Sequence, residues 1–137
     1  MAARLTANRL FSRNVVAKPS SVRSLATVTA KKHTFLVVIP DVPGSSAVRS
    51  ECRPTHLKNI FPYVENRSLK IGGPILHSQP KDENDKPDVY GSVVIWAADS
   101  QQEVLEILKK DVYVEKGVWD FSNVKIYPFK PTFEHQF

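Results

Sequence analysis

The chain divides into segments whose apolar residues recur with different periods. Residues 33–39 (HTFLVVI) form an apolar run that stops at Pro40, the pattern of a buried strand. Residues 41–46 (DVPGSS) have turn composition. Over residues 53–66, Leu57, Ile60, Phe61 and Val64 fall at i, i+3, i+4 and i+7, which predicts a helix with that stripe facing the core. Pro54 fits the first turn of that helix, where its missing amide loses no partner, and Pro62 predicts a kink or a broken last turn. Residues 69–76 (LKIGGPIL) read as a strand with a glycine pair inside it, and the polar residues 78–88 as a mobile loop. Residues 89–98 (VYGSVVIWAA) predict a second strongly apolar strand. Ser100 and Glu103 have capping-box spacing, and Val104, Ile107 and Leu108 supply the buried face of a second helix. Residues 111–117 close that helix irregularly, and residues 124–129 (VKIYPF) form the last strand.

The order β-α-β-β-α-β predicts an α+β, ferredoxin-like fold. In that fold the helices cover one face of the sheet. Residues 35–39 and 93–96 are nevertheless apolar at successive positions, which reads as burial on both faces. A second copy of the chain, packed sheet to sheet, is the simplest cover. The expectation is a homodimer through the sheet face.

Composition changes the picture at the N-terminus. Residues 1–30 carry Arg4, Arg9, Arg13, Lys18 and Arg23, no acid, and many serines and threonines. Arginines interrupt every apolar run, which excludes a secretory signal; the Arg-rich, Ser-rich, acid-free pattern is that of a mitochondrial presequence. Residues 1–30 are therefore expected to engage the mitochondrial import machinery and to be removed near Leu25, leaving a domain over 31–137 in the matrix. The leader also accounts for the net charge. When its five basic groups are taken from the 19 in the chain, 14 remain to balance the 14 acids. A neutral domain offers no electrostatic case for nucleic acid. No apolar run approaches the roughly 18 residues of a membrane span, so no membrane insertion is expected. Cys52 is the only cysteine, and the histidines at 33, 56, 77 and 135 form no pair at ligand spacing, so no metal is expected. No phosphate loop or GxGxxG is present, and no cofactor is expected.

Two polar groups, Arg53 and Asp111, fall where the helical pattern is apolar, and His56 lies at its edge. Arg53 lies within about 30° of the centre of the Leu57–Val64 stripe and His56 about 90° from it. Asp111 follows Val104 by seven residues and Leu108 by three, which puts it on the apolar face if the helix runs that far. Inward charges cost several kcal/mol unless paired or held in a wet cleft. One reading is a pocket between helices and sheet in which Asp111 fixes the tautomer of His56, making it a general acid or base. Arg53 would then hold an anionic group of a small organic ligand, while Gly72 and Gly73 leave room. The other reading is structural: Arg53 and Asp111 form an ion pair between helix ends, and His56 is a helix-end residue. Tyr113 could meet a ligand or simply pack. Cys52, on the far side from the stripe, reads as an inert thiol, His77 as a loop residue, and Trp96 and Trp119 as core or dimer contacts.

The pieces Arg53-Pro54-Thr55-His56-Leu57, Gly72-Gly73-Pro74, Gly91-Ser92, Asp111-Val112-Tyr113-Val114 and Gly117-Val118 resemble, in order and spacing, the YCII (YciI-like) family, from about His33 to Lys130. The resemblance implies a dimeric α+β barrel and a catalytic histidine–aspartate pair at His56 and Asp111. This chain has Asp111-Val112-Tyr113 in place of the family's usual Asp-Pro-Tyr, so the turn that aims the aspartate differs. The expected function is a cofactor-independent enzyme moving protons on a small anionic metabolite, by isomerisation, elimination or dehalogenation. The alternative is a non-catalytic binding or assembly module of the same fold.

Overall fold

The computed structural model describes residues 32–133; the expected presequence lies outside them. The elements are β1 (His33–Pro40), α1 (Ser46–Glu65), β2 (Leu69–Leu76), β3 (Val89–Ala98), α2 (Gln101–Lys109), α3 (Val112–Glu115) and β4 (Lys125–Pro128), with a 3₁₀ turn at Phe121–Asn123. All strand pairs are antiparallel, in the order β2-β3-β1-β4. This is the α+β, ferredoxin-like arrangement expected from the order of elements.

β1 and β3 pair along their length, from His33 opposite Ala98 to Pro40 opposite Gly91. A Cβ on Gly91 would stand 2.3 Å from the Ile39 carbonyl oxygen, so only glycine lets the strands close at this end. Phe35, Val37 and Ile39 on β1, with Val94 and Trp96 on β3, point beneath the helices and form the core with Val104 and Leu108 of α2. α2 starts as predicted: Ser100 Oγ accepts from the Glu103 amide, and the Glu103 carboxylate accepts from the Asp99 amide. The opposite sheet face carries the other residues of each alternation. Leu36, Val38, Val93 and Ile95 are half-buried there, and Ile71 and Tyr127 are each 50% exposed. Among the described residues no layer covers this face.

α1 departs most from the sequence pattern. It begins at Ser46, seven residues before the predicted start, so Pro54 lies inside the helix and not in its first turn. The helix also continues through Pro62 to Glu65. Both prolines are exposed, and so are Ser50 and Lys58, whose carbonyls lose their helical partner on a side of the helix open to solvent. The buried face differs as well. Leu57, Phe61 and Val64 are 42%, 56% and 47% exposed, and the helix packs instead through Cys52, His56 and Tyr63, with Ile60 at the margin. A cavity stands where the predicted stripe would have met the sheet. Residues 111–117 do more than fray the preceding helix: after Lys109 the chain turns and starts the separate α3. Residues 78–88 form an exposed loop, and the last strand is shorter than predicted at both ends.

Candidate active site

The break between α2 and α3 places the aspartate. Asp111 is extended (φ −68°, ψ 145°) and is the N-cap of α3, its Oδ1 accepting from the Tyr113 amide at 2.9 Å. It does not ride on the apolar face of α2, as the periodicity suggested. From the cap its carboxylate turns toward α1, with both oxygens 2.9 Å from His56 Nδ1. Only 5% of the Asp111 side chain and 13% of the His56 side chain are exposed. With Nδ1–H donating to the carboxylate, Nε2 is left as the acceptor nitrogen of an imidazole that lines the cavity.

Two aromatic rings hold that imidazole in place. Tyr113 stacks on it at 4.0 Å between centroids and 12° between planes, and Trp119 meets it edge-on at 5.5 Å and 81°. Trp119 is aimed by the end of α3. Gly117 takes φ +69°, and the amides of Val118 and Trp119 both donate to the Tyr113 carbonyl, at 2.8 and 3.0 Å. One stretch of nine residues thus delivers the carboxylate, the stacking ring and the edge ring.

Beside this pair sits an array absent from the sequence reading. Arg49 Nη1 donates to both oxygens of Asp41 at 2.7 and 2.8 Å, and its Nη2 donates to Ser92 Oγ at 3.0 Å. Trp119 Nε1 donates to the same Ser92 oxygen at 3.1 Å. With both lone pairs of Ser92 taken, its own proton points away from Arg49 and Trp119. Ser92 lines the cavity, so its hydroxyl is set to donate to whatever occupies it. The Arg49 guanidinium lies 4.9 Å from the Tyr113 ring centroid. Burial raises the Asp41 carboxyl above its ordinary value, against the pull of Arg49. Burial likewise raises the Tyr113 phenol, against the pull of Arg49 and Arg53. Tyr113 is therefore protonated at neutral pH and can enter chemistry as a donor, not as a base.

The cavity measures about 680 Å³ and lies between α1 and the sheet. Arg53 lines it from the exposed side of α1. The ion pair between Arg53 and Asp111 does not form, because His56 occupies that carboxylate. Arg53 has no carboxylate partner among the described residues. Gly72 and Gly73 both border the cavity but differ in kind. A side chain on Gly72 would run beside Val94 and Leu69, at 3.5 and 3.6 Å, on the cavity side. Gly73 pairs with Val93, whose side chain takes the uncovered face, and an added Cβ there meets nothing within 4 Å. Cys52 is buried in the core, Trp96 likewise, and the exposed His77 sets its ring edge-on to that of Tyr90. No cluster of three or more histidine, cysteine or acidic side chains able to hold a metal occurs among the described residues.

Residues 34–130 match the family model of the YCII-related domain. The aspartate kinase FUB3 of Fusarium oxysporum is 36% identical to this chain over 97 residues, which is 70% of the chain but 18% of that protein. The likeness to the kinase is thus confined to one small part of it. The fusaric acid biosynthesis protein 2 of Gibberella fujikuroi is 34% identical over 96 residues, covering 70% of this chain and 91% of that protein. The chain is also similar to a solved structure, the 5-chloro-2-hydroxyhydroquinone dehydrochlorinase TftG of Burkholderia phenoliruptrix in complex with 2,5-dihydroxybenzoquinone. There the TM-score is 0.59 and the identity 28%, over 71% of this chain and 93% of that one.

Ser92→Ala removes the shared acceptor and leaves two donors facing an alanine methyl group. The expected loss of unfolding free energy in chemical denaturation is about 1–3 kcal/mol, with the Trp119 fluorescence altered in the folded state. A variant as stable as the parent would mean that the array is not a working network.

Proposed function

The chain belongs to the YCII-related domain family, and on that premise we propose that it is an enzyme that moves protons on a small anionic organic molecule. Isomerisation and elimination, dehalogenation included, are the reaction types that fit. The observation that carries this reading is the His56 Nδ1–Asp111 contact, 2.9 Å to each oxygen, on an imidazole that lines a cavity. The buried carboxylate fixes the proton on Nδ1 and stabilises the imidazolium that forms when Nε2 takes a proton from the substrate. In an elimination, Nε2 removes a proton from carbon or oxygen while the bond to a leaving group such as chloride breaks. In an isomerisation, the same nitrogen returns the proton to another atom. Arg53 would attract the substrate's carboxylate or phenolate, and Ser92 and Tyr113 would donate to its oxygens as charge develops.

The likeness to a dehydrochlorinase that binds an oxygenated ring supports the class of chemistry, and the likeness to a fusaric acid biosynthesis protein supports small-molecule metabolism. We further propose that two copies pack through the uncovered sheet face, which is apolar across Leu36, Val38, Val93 and Ile95. A patch that joins to its own copy about a two-fold axis covers both surfaces at once. The acid-free leader supports import into mitochondria.

His56→Gln keeps a side chain able to bond Asp111 but removes the base. It should fold normally while chloride release from 5-chloro-2-hydroxyhydroquinone, or turnover of related hydroxylated and chlorinated rings, falls at least about 100-fold. Unchanged turnover would remove His56 from the chemistry, and binding without turnover in the parent protein would make the chain a binding module. Light scattering of the protein lacking residues 1–30 should give the mass of a dimer at micromolar concentration, and Ile95→Lys should give a monomer. A monomeric parent would overturn the sheet-to-sheet assembly.

A further inference from the structure

The cavity is not uniform along its length. At the end formed by the first half of α1, Arg49 Nη2 reaches Ser92 Oγ at 3.0 Å, and the ionic and hydrogen-bonding groups gather there: Arg53, His56 and Tyr113. At the other end, Tyr63 of α1 meets Trp96 with ring centroids 5.0 Å apart. These two contacts pin α1 against β3 at points four residues apart on the strand, a span of about 13 Å. Between them the helix side of the cavity is Leu57, Ile60 and Val64, and the sheet side is Leu69, Val94 and Trp96, with the exposed Lys70 at the rim beside Leu69. Leu57 and Val64 of the α1 stripe therefore face a gap instead of packing into the core, and Ile60 stands at its margin. Gly72 keeps the sheet wall low beside Val94 and Leu69.

We infer that the groove takes an amphipathic ligand, an anionic ring whose oxygen substituents sit at Arg53, His56 and Ser92 and whose alkyl tail lies along the apolar walls toward Trp96. The inference rests on the reading of the polar end given above and adds the tail to it. A ligand with no tail would leave Leu57 and Val64 in water, where they are now 42% and 47% exposed. A tail lying there removes apolar surface of both partners from water.

Benzoate and its 4-methyl, 4-butyl and 4-hexyl derivatives, titrated calorimetrically into the full-length protein, test this. The affinity should rise about two- to fourfold for each methylene. In Val64→Asp, which puts a charge on the wall at a half-exposed position, the ratio of hexyl to methyl affinity should collapse toward one. Leu57→Asp serves the same purpose should the first variant lose its helical circular dichroism. Equal affinities along the series, or a gain that survives both variants, would overturn the tail site while leaving the anionic head intact. Tail-dependent binding of 4-hexylbenzamide as tight as that of 4-hexylbenzoate would keep the tail site and defeat the anionic head. Failure of every compound to bind would defeat both.

Discussion

Asp111 keeps a carboxylate almost wholly out of water, and a charge so placed stands only if donors surround it. The Tyr113 amide supplies one and the His56 imidazole supplies the other. The second donor lies on a different element, so the rotation of α1 about its own axis is no longer free. Turning the helix by about 100° to bury Leu57 would carry His56 off the carboxylate and leave the charge alone. The orientation in which Cys52, His56 and Tyr63 face inward is the one that keeps the pair. Hydrophobic burial of the stripe is given up for it, and the groove is the space that results.

The remaining charges at the site are arranged by the same economy. Arg49 and Asp41 neutralise each other through two hydrogen bonds, and Ser92 ties that pair to the Trp119 edge that braces the imidazole. Of the two arginines, only Arg53 is left to face the cavity with no carboxylate of the described chain against it. A cation on the exposed side of a groove attracts an anion from solvent without carrying the desolvation cost of a buried one.

Much of this was legible in the sequence, and the failures share a cause. The order of elements, the two-sided apolar strands and the cap of α2 depend on local periods of two or three to four residues, and the chain displays those directly. Arg53 and Asp111 stand out because each falls at an apolar position of a helical pattern, and His56 because it lies at the edge of one and within the family resemblance. Arg49, Asp41 and Ser92 did not, since a polar residue in a turn, before a supposed helix start or in a strand breaks no pattern. Their meeting is a matter of tertiary distance: 43 residues separate Arg49 from Ser92. Pro54 misled the reading of α1 because an interior proline looks like a first-turn proline when the seven residues before it carry no apolar period. The periodicity of α1 points to the wrong face because it marks the stripe with the most apolar surface, whereas a buried ionic contact decides the rotation.

The two sides of α1 answer to different demands on the sequence. Cys52, His56 and Tyr63 are held by the core, the carboxylate and the Trp96 ring, so a substitution at any of them disturbs a buried contact. Leu57, Phe61 and Val64 touch water and support no buried contact of the core, so their replacement is limited by solubility far more than by folding. One helix thus carries two kinds of constraint: its inner side is fixed by the fold and its outer side is not, so the wall of the groove can be reshaped without first losing a stable structure.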